Sequence, residues 1–227
     1  MTLAWSMDQI GTICRTVEDC AIVLDAIRGI DPSDRTTVIL PFNFQANHGL
    51  TGLKVGYIDG TVSSADLNTL SLLGATPVPV TFPTFPSGAL LSIMAVEAAA
   101  AFDDFTRSGN LDLLSSQGAY DLPSLIRTAR TVSAVDYVQA DRVRMKVIES
   151  VANFFRDVDL LVTSNGLDSN LVAGHLVGLP CVTVPHGNGT SFVFIGRLYD
   201  DAAVLEAAKA YQDATGYHLE HPPMFTN

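Results

Sequence analysis

The chain has 227 residues, of which 48% are hydrophobic and only 16% charged, against roughly 25% charged in an average soluble domain. Its 24 acidic and 13 basic residues leave a formal charge of −11, and three lysines offer no cationic surface for a phosphate backbone, which argues against nucleic acid as a partner. A membrane span needs about 20 nearly uninterrupted apolar residues, whereas the best candidate, 89–102, is shorter and carries Glu97 in its middle.

The opening MTLAWSMDQI has neither a basic segment nor an apolar run of signal-peptide length, so a cytoplasmic protein is expected. Cys14, Cys20 and Cys181 are too few for a disulfide framework and are expected as small core residues in a reducing compartment. The first element is a helix over 16–28, with Thr16 as its cap and Glu18 and Asp19 in the first turn. Val17, Cys20, Ala21, Leu24 and Ile27 share one face, and Gly29 ends it. A turn-rich arm leads to a strand at 53–58, a weak helix at 64–73 and a strand at 76–81. An alanine-rich helix spans 88–107, and the polar segment SGNLDLLSSQGAYDLP reads as a connection. The longest helix covers 133–156, capped by Ser133 with Asp136 three residues on. Strands follow at 159–163, 181–184 and 192–195, the last two joined by the hairpin-like PHGNGTS turn. A helix at 200–215, capped by Asp200, turns Val204, Ala207, Ala208 and Tyr211 inward. This alternation predicts an α/β fold with parallel pairing and one antiparallel hairpin, in a single domain over 1–227.

Chemical motifs are scarce. There is no G-x-S-x-G elbow, no Gly-rich phosphate loop and no Cys or His cluster of metal spacing, and no cofactor is expected. His218-Leu-Glu-His221 reads as a solvated tail, and Asp103-Asp104 and Asp200-Asp201 as caps or solvated faces. His175 and His186 lie in glycine-containing loops near strand ends, where ligands often bind in α/β folds.

The segment Ser6-Met7-Asp8-Gln9-Ile10-Gly11, followed by CRTVEDCAIVLDAIRGIDPSD, resembles the amidase signature family, hydrolases that cleave amide C–N bonds with a Ser-Ser-Lys triad. The resemblance continues through LTGLKVGYIDG, YDLPSLIRTAR, AVDYVQADRVR and GLPCVTVPHG to FIGRLYDDAAVLEAAKAYQDATGYH and the terminal HPP. Thr12 stands where the family usually has proline, and the loop between Val184 and Phe192 is short. The resemblance implies the C-terminal part of an α/β/α sandwich, a mixed sheet flanked by helices.

In that family the catalytic Lys and both serines precede the Ser-Met-Asp motif, and no position of this chain matches any of the three. The resemblance therefore implies a C-terminal portion without the triad, inactive alone unless a missing N-terminal half is supplied, with a small amide as substrate in that case. Asp8, and less directly Ser6, match residues that support the triad from outside it. Thr163, Asn170 and His175 fall where the family's C-terminal half lines the substrate pocket. A complementing chain or a homo-oligomer is the partner so implied. The alternative is a non-catalytic module that reuses the half-fold to bind a small molecule or a protein. A less favoured third reading is an independent hydrolase built around His175 and His186. A half-fold also predicts an apolar surface concentrated where the other half would dock.

Overall fold

The computed structural model describes residues 3–164, 176–187, 189–220 and 224. They fall into two compact units. The first comprises 3–10, 84–151 and 176–178, and is helical. The second comprises 11–83, 152–164 and most of 179–224, and holds the sheet.

In the second unit, α1 (Val17–Ile27) starts at Thr16, whose side chain accepts the Asp19 N–H. The Gln212 side chain accepts the Val17 N–H at 3.0 Å, so a tertiary partner satisfies another free donor of that first turn. Strand β1 (Lys54–Tyr57), helix α2 (Ser64–Leu72) and strand β2 (Thr76–Pro79) form the expected crossover, with β1 and β2 parallel. Strands β3 (Leu160–Ser164), β4 (Cys181–Pro185) and β5 (Ser191–Gly196) complete a mixed sheet in the order β2-β1-β3-β5-β4. β3 runs parallel to β1, while β5 is antiparallel to both of its neighbours. The terminal helix, here α7 (Asp201–Thr215), packs on β4, β5 and α1. Val55, Leu70, Phe192, Phe194, Val204 and Tyr211 are the heart of this core. Phe192 stacks on Tyr211 with ring centroids 4.6 Å apart, a geometry that contributes about 0.5–1.5 kcal/mol beyond the area buried. Gly196 ends β5 directly against α7, where a Cβ would stand 2.3 Å from a Val204 methyl.

The first unit is built from α3 (Ser87–Ala101), α4 (Asp103–Arg107), a 3-10 turn (Asn110–Leu113), α5 (Leu122–Ala129) and most of α6 (Ala134–Phe154). Its core joins Ala95, Ala99, Leu111, Ile126 and Ala129, with Phe102 and Phe105 packed alongside. The small α3 residues let α5 approach closely. Ser133 caps α6 and receives the Asp136 N–H at 3.1 Å.

Several expectations are corrected. The helix expected over 88–107 is two helices, because Phe102 leaves helical geometry at φ −101° and ψ 22°. The connection after it holds α5, a helix of eight residues with Pro123 in its first turn. Asp200 occupies the cap position of α7, but its side chain makes no capping bond. Cys14 and Cys181 are exposed and Cys20 only half-buried, because Cys14 precedes α1 and Cys181 sits on the outer strand of the sheet. Among the described residues no helix is long and apolar enough to cross a membrane.

Candidate functional site

In the first unit, residues 3–8 are wound into a tight turn. The N–H groups of Met7 and Asp8 both donate to the Ala4 carbonyl, at 3.0 and 2.8 Å, and Ala4 is fully buried. The Asp8 carboxylate closes the turn by accepting the Leu3 N–H at 2.6 Å. Ser6 fastens it to the helices. Its N–H donates to Glu97 Oε2 at 3.0 Å and its hydroxyl to Glu97 Oε1 at 2.6 Å. Arg144, on α6, donates Nη1 to Ser6 Oγ at 2.7 Å and Nη2 to the Ser6 carbonyl. Tyr137, one helical stretch earlier, donates its hydroxyl to Glu97 Oε1 at 3.1 Å. Burial and the neighbouring Glu97 carboxylate raise the Tyr137 phenol above its ordinary pKa, so it remains a donor.

Glu97 is 7% exposed, and a carboxylate so buried persists only when its lone pairs are occupied. Here three donors reach it. The Ser6 hydroxyl is likewise fully committed, giving its proton to Glu97 and receiving one from Arg144. Such a hydroxyl fixes geometry; it is not free to act as a nucleophile. Asp8 is exposed, and the clamp on Ser6 holds it at the end of a fixed turn.

The sequence singled out Ser6 and Asp8 but not Arg144 or Tyr137. In the sequence, Glu97 stands out only as the charge that interrupts an apolar run. Of the expected pocket residues, Thr163 is 2% exposed within β3, opposite Val193 on β5. Asn170 and His175 lie outside the described residues, as does His221. The groove between α3 and α6, about 400 Å³ and lined by Ala89, Ser92, Val132, Asp136, Gln139 and Val143, has one carboxylate, Asp136, which accepts the Ser133 hydroxyl at 2.7 Å.

The second unit has its own polar cluster around Asp66, on α2 and 4% exposed. Oδ2 accepts the Ser63 hydroxyl at 2.6 Å. Oδ1 accepts the Tyr211 hydroxyl at 2.6 Å and faces His186 Nε2 at 2.9 Å. His186 Nδ1 lies 3.1 Å from Thr190 Oγ1 in the β4–β5 turn, and the ring stacks on Phe192. Burial alone would raise the Asp66 pKa, but hydrogen bonds from Ser63, Tyr211 and His186 outweigh it and hold the carboxyl below its usual range. Tyr211, buried beside that carboxylate, is pushed well above the ordinary phenol value. The cluster clasps α2, α7 and the hairpin turn together. Among the described residues no group of His, Cys, Asp and Glu is placed to hold a metal ion.

The fold these elements build is shared with hydrolases of known structure. The peptide amidase from Stenotrophomonas maltophilia superposes with a TM-score of 0.74 at 21% identity, over 100% of this chain and 57% of that one. The sequence model of the Amidase family matches residues 1–169, and the chain belongs to that family. An amidase of Pseudomonas putida is 29% identical over 98% of this chain and 56% of its own length. A glutamyl-tRNA(Gln) amidotransferase subunit of Thermosynechococcus vestitus is 28% identical over 97% of this chain and 58% of its own. The chain thus spans somewhat more than half the length of the curated relatives it matches.

Proposed function

We propose that this chain is the C-terminal portion of an amidase-type hydrolase and does not turn over substrate by itself. The observation that carries the reading is the span of the match: nearly all of this chain aligns with only 56% of the Pseudomonas putida amidase. No position here matches the family's catalytic Lys or either serine, and the Ser6 hydroxyl is already committed to Glu97 and Arg144. Amide hydrolysis then requires the remaining family segment, which supplies nucleophile, base and oxyanion donors for a small amide. In that assembly Ser6 and Asp8 support the triad from outside it, and Thr163, Asn170 and His175 belong to the substrate pocket. The whole of 1–227 acts as one domain there, in the cytoplasm, a setting that suits three unpaired cysteines.

The purified chain, incubated with simple aliphatic and aromatic amides and with a serine-reactive phosphonate, is expected to give neither turnover nor a covalent adduct. Robust hydrolysis, or stoichiometric labelling of a serine, would overturn the reading.

A further inference from the structure

Cys14 and Cys20 stand six residues apart, one in the segment that leads into α1 and the other in its first turn. The two stretches of backbone are laced together from both sides. The Thr12 hydroxyl donates to the Cys20 carbonyl at 3.2 Å, and the Cys20 thiol donates to the Thr12 carbonyl at 3.7 Å. The Cys14 thiol is hydrogen-bonded to the Cys20 side chain. Because the Cys20 proton is directed at Thr12, Cys14 is the donor of that bond, and its sulfur lies against the Cys20 sulfur. The frame beneath them is fixed: Val17 is buried, and Gln212 holds its N–H at 3.0 Å. Cys14 is exposed and Cys20 half-buried, so a dissolved reagent meets Cys14 first.

Two thiols in contact on a fixed frame are poised for a disulfide, whose geometry is otherwise hard to meet. Among the described residues no third ligand completes a metal site around them. We propose that Cys14 and Cys20 are a reversible modification site, a dithiol that closes to an intramolecular disulfide by exchange with a low-molecular-weight disulfide of the glutathione type. The Cys14 thiolate attacks one sulfur of the reagent, the reagent's S–S bond breaks, and the first small thiol leaves with the proton that Cys14 gave up. The Cys20 sulfur then attacks the Cys14 sulfur of the mixed disulfide, and the second small thiol leaves with the Cys20 proton. The protein loses two electrons and the reagent gains them. Excess free thiol drives the same exchange backwards, so the pair follows the state of the thiol pool and is not a permanent bridge.

Closure makes a ring of seven residues, 14–20, around the Thr16 cap. Both bonds that start α1 lie inside it: the Asp19 N–H to Thr16 Oγ1 at 3.1 Å and the Cys20 N–H to the Thr16 carbonyl at 3.2 Å. The disulfide therefore pins the beginning of α1 to the segment before it. Desolvation of the sulfur, the bond to Cys20 and the nearby Cys20 and Asp19 charges raise the Cys14 thiol above its ordinary pKa. Exchange is accordingly slow at neutral pH and accelerates as the pH rises, since the thiolate is the attacking species.

The test equilibrates the purified chain in mixtures of reduced and oxidised glutathione, blocks the remaining thiols and maps tryptic peptides without reduction. Cleavage after Arg15 separates the two cysteines, so closure appears as peptides 1–15 and 16–28 joined through a disulfide. The expected result is that joined pair, with Cys181 outside any protein bridge. The folded chain should half-close in a mixture at least tenfold more reducing than the chain unfolded in urea requires. In the closed form the Asp19 and Cys20 amides should exchange at least threefold more slowly, and added reductant should reverse this. Cys14→Ser and Cys20→Ser abolish closure, and Cys181→Ser leaves it unchanged. Free thiols at 14 and 20 in every mixture, a mixed disulfide that never closes, a bridge to Cys181 or a link between two chains overturns the proposal. So does half-closure no easier than in urea, or unaltered exchange at Asp19 and Cys20. If a serine variant does not fold, the peptide map of the unaltered chain still decides. Amide hydrolysis has no bearing on any of these outcomes, so the modification site stands or falls apart from the reading under Proposed function.

Discussion

Asp66 offers the sharpest test of what holds the sheet-bearing unit together. Replacing it by alanine removes the acceptor of three side chains. Tyr211 is fully buried, and leaving its hydroxyl without a partner costs about 1–3 kcal/mol. Ser63 and His186 lie closer to the surface and regain water, so their lost bonds cost about 0.5 kcal/mol each. The total, about 2–4 kcal/mol, corresponds to a fall of about 1–2 M in the urea midpoint at the slope of roughly 2–3 kcal/mol/M typical of a chain this size. Asp66→Asn keeps the shape and an acceptor for Tyr211, and should lose less than half as much. Tyr211→Phe removes the deepest donor, so the cycle of Asp66→Asn with Tyr211→Phe should be clearly non-additive.

The pH dependence has a definite sign. The folded carboxyl titrates below its unfolded value of about 3.9, because the three hydrogen bonds outweigh the burial that alone would raise it. Its contribution is full above the unfolded value and is lost as the pH falls through the lower folded one. Asp66→Asn should flatten that acid limb, because it removes at neutral pH a contribution that the unaltered chain has already lost at low pH. Circular dichroism during urea titration measures all of these. A loss below about 1 kcal/mol for Asp66→Ala, or additivity in the cycle, would refute the clasp.

Glu97→Ala and Arg144→Ala each release Ser6 from one side, and hydrogen exchange at Met7 and Asp8 should accelerate by tenfold or more with the helices of the first unit still formed. Gly196→Ala drives a Cβ to 2.3 Å from the Val204 side chain and should cost about 2 kcal/mol or more by overpacking, read as a lowered urea midpoint. Thr16→Ala removes the acceptor of the Asp19 N–H and should cost about 1 kcal/mol, again by urea titration, with Thr16→Ser restoring most of it.

Local features of the fold were legible in the sequence because each is written within a few residues. Thr16 and Ser133 announce the helices they cap. The PHGNGTS segment between two apolar runs signals the hairpin, and Val204, Ala207, Ala208 and Tyr211 give the buried face of α7. What escaped is either short or distant. Helix α5 has eight residues in a polar stretch, too few for a period of 3.6 to emerge. The break at Phe102 depends on how α4 turns to place Asp103 against Arg107 and Arg130. In the candidate sites, Ser63 and Asp66 are a local pair, but Tyr211 lies 145 residues from Asp66 and His186 lies 120 away. Ser6 and Arg144 are 138 apart. Contacts of that separation leave no spacing to read.

The apolar surplus that stood out in the composition is spread over both units. Among the described residues, Ile13, Ile22, Ile30, Val38 and Ile39 are exposed in the sheet-bearing unit, and Leu91, Leu113, Leu125, Val135, Val138 and Met145 in the helical one. On α1, Ile22 and Val23 fall on the side away from Val17 and Ala21, while Ile27, expected on the buried face, is itself exposed in the last turn of the helix. Single apolar side chains on a surface need no explanation, but a helix flank and the arm behind it together exceed that background. The same unit closes one edge of its sheet with Pro77 and Pro79 on β2. A surface shaped to receive the rest of an amidase would gather its apolar side chains in one stretch. With Leu91, Leu113, Leu125, Val135, Val138 and Met145 exposed on the helical unit as well, the low share of charged residues does not single out one docking face.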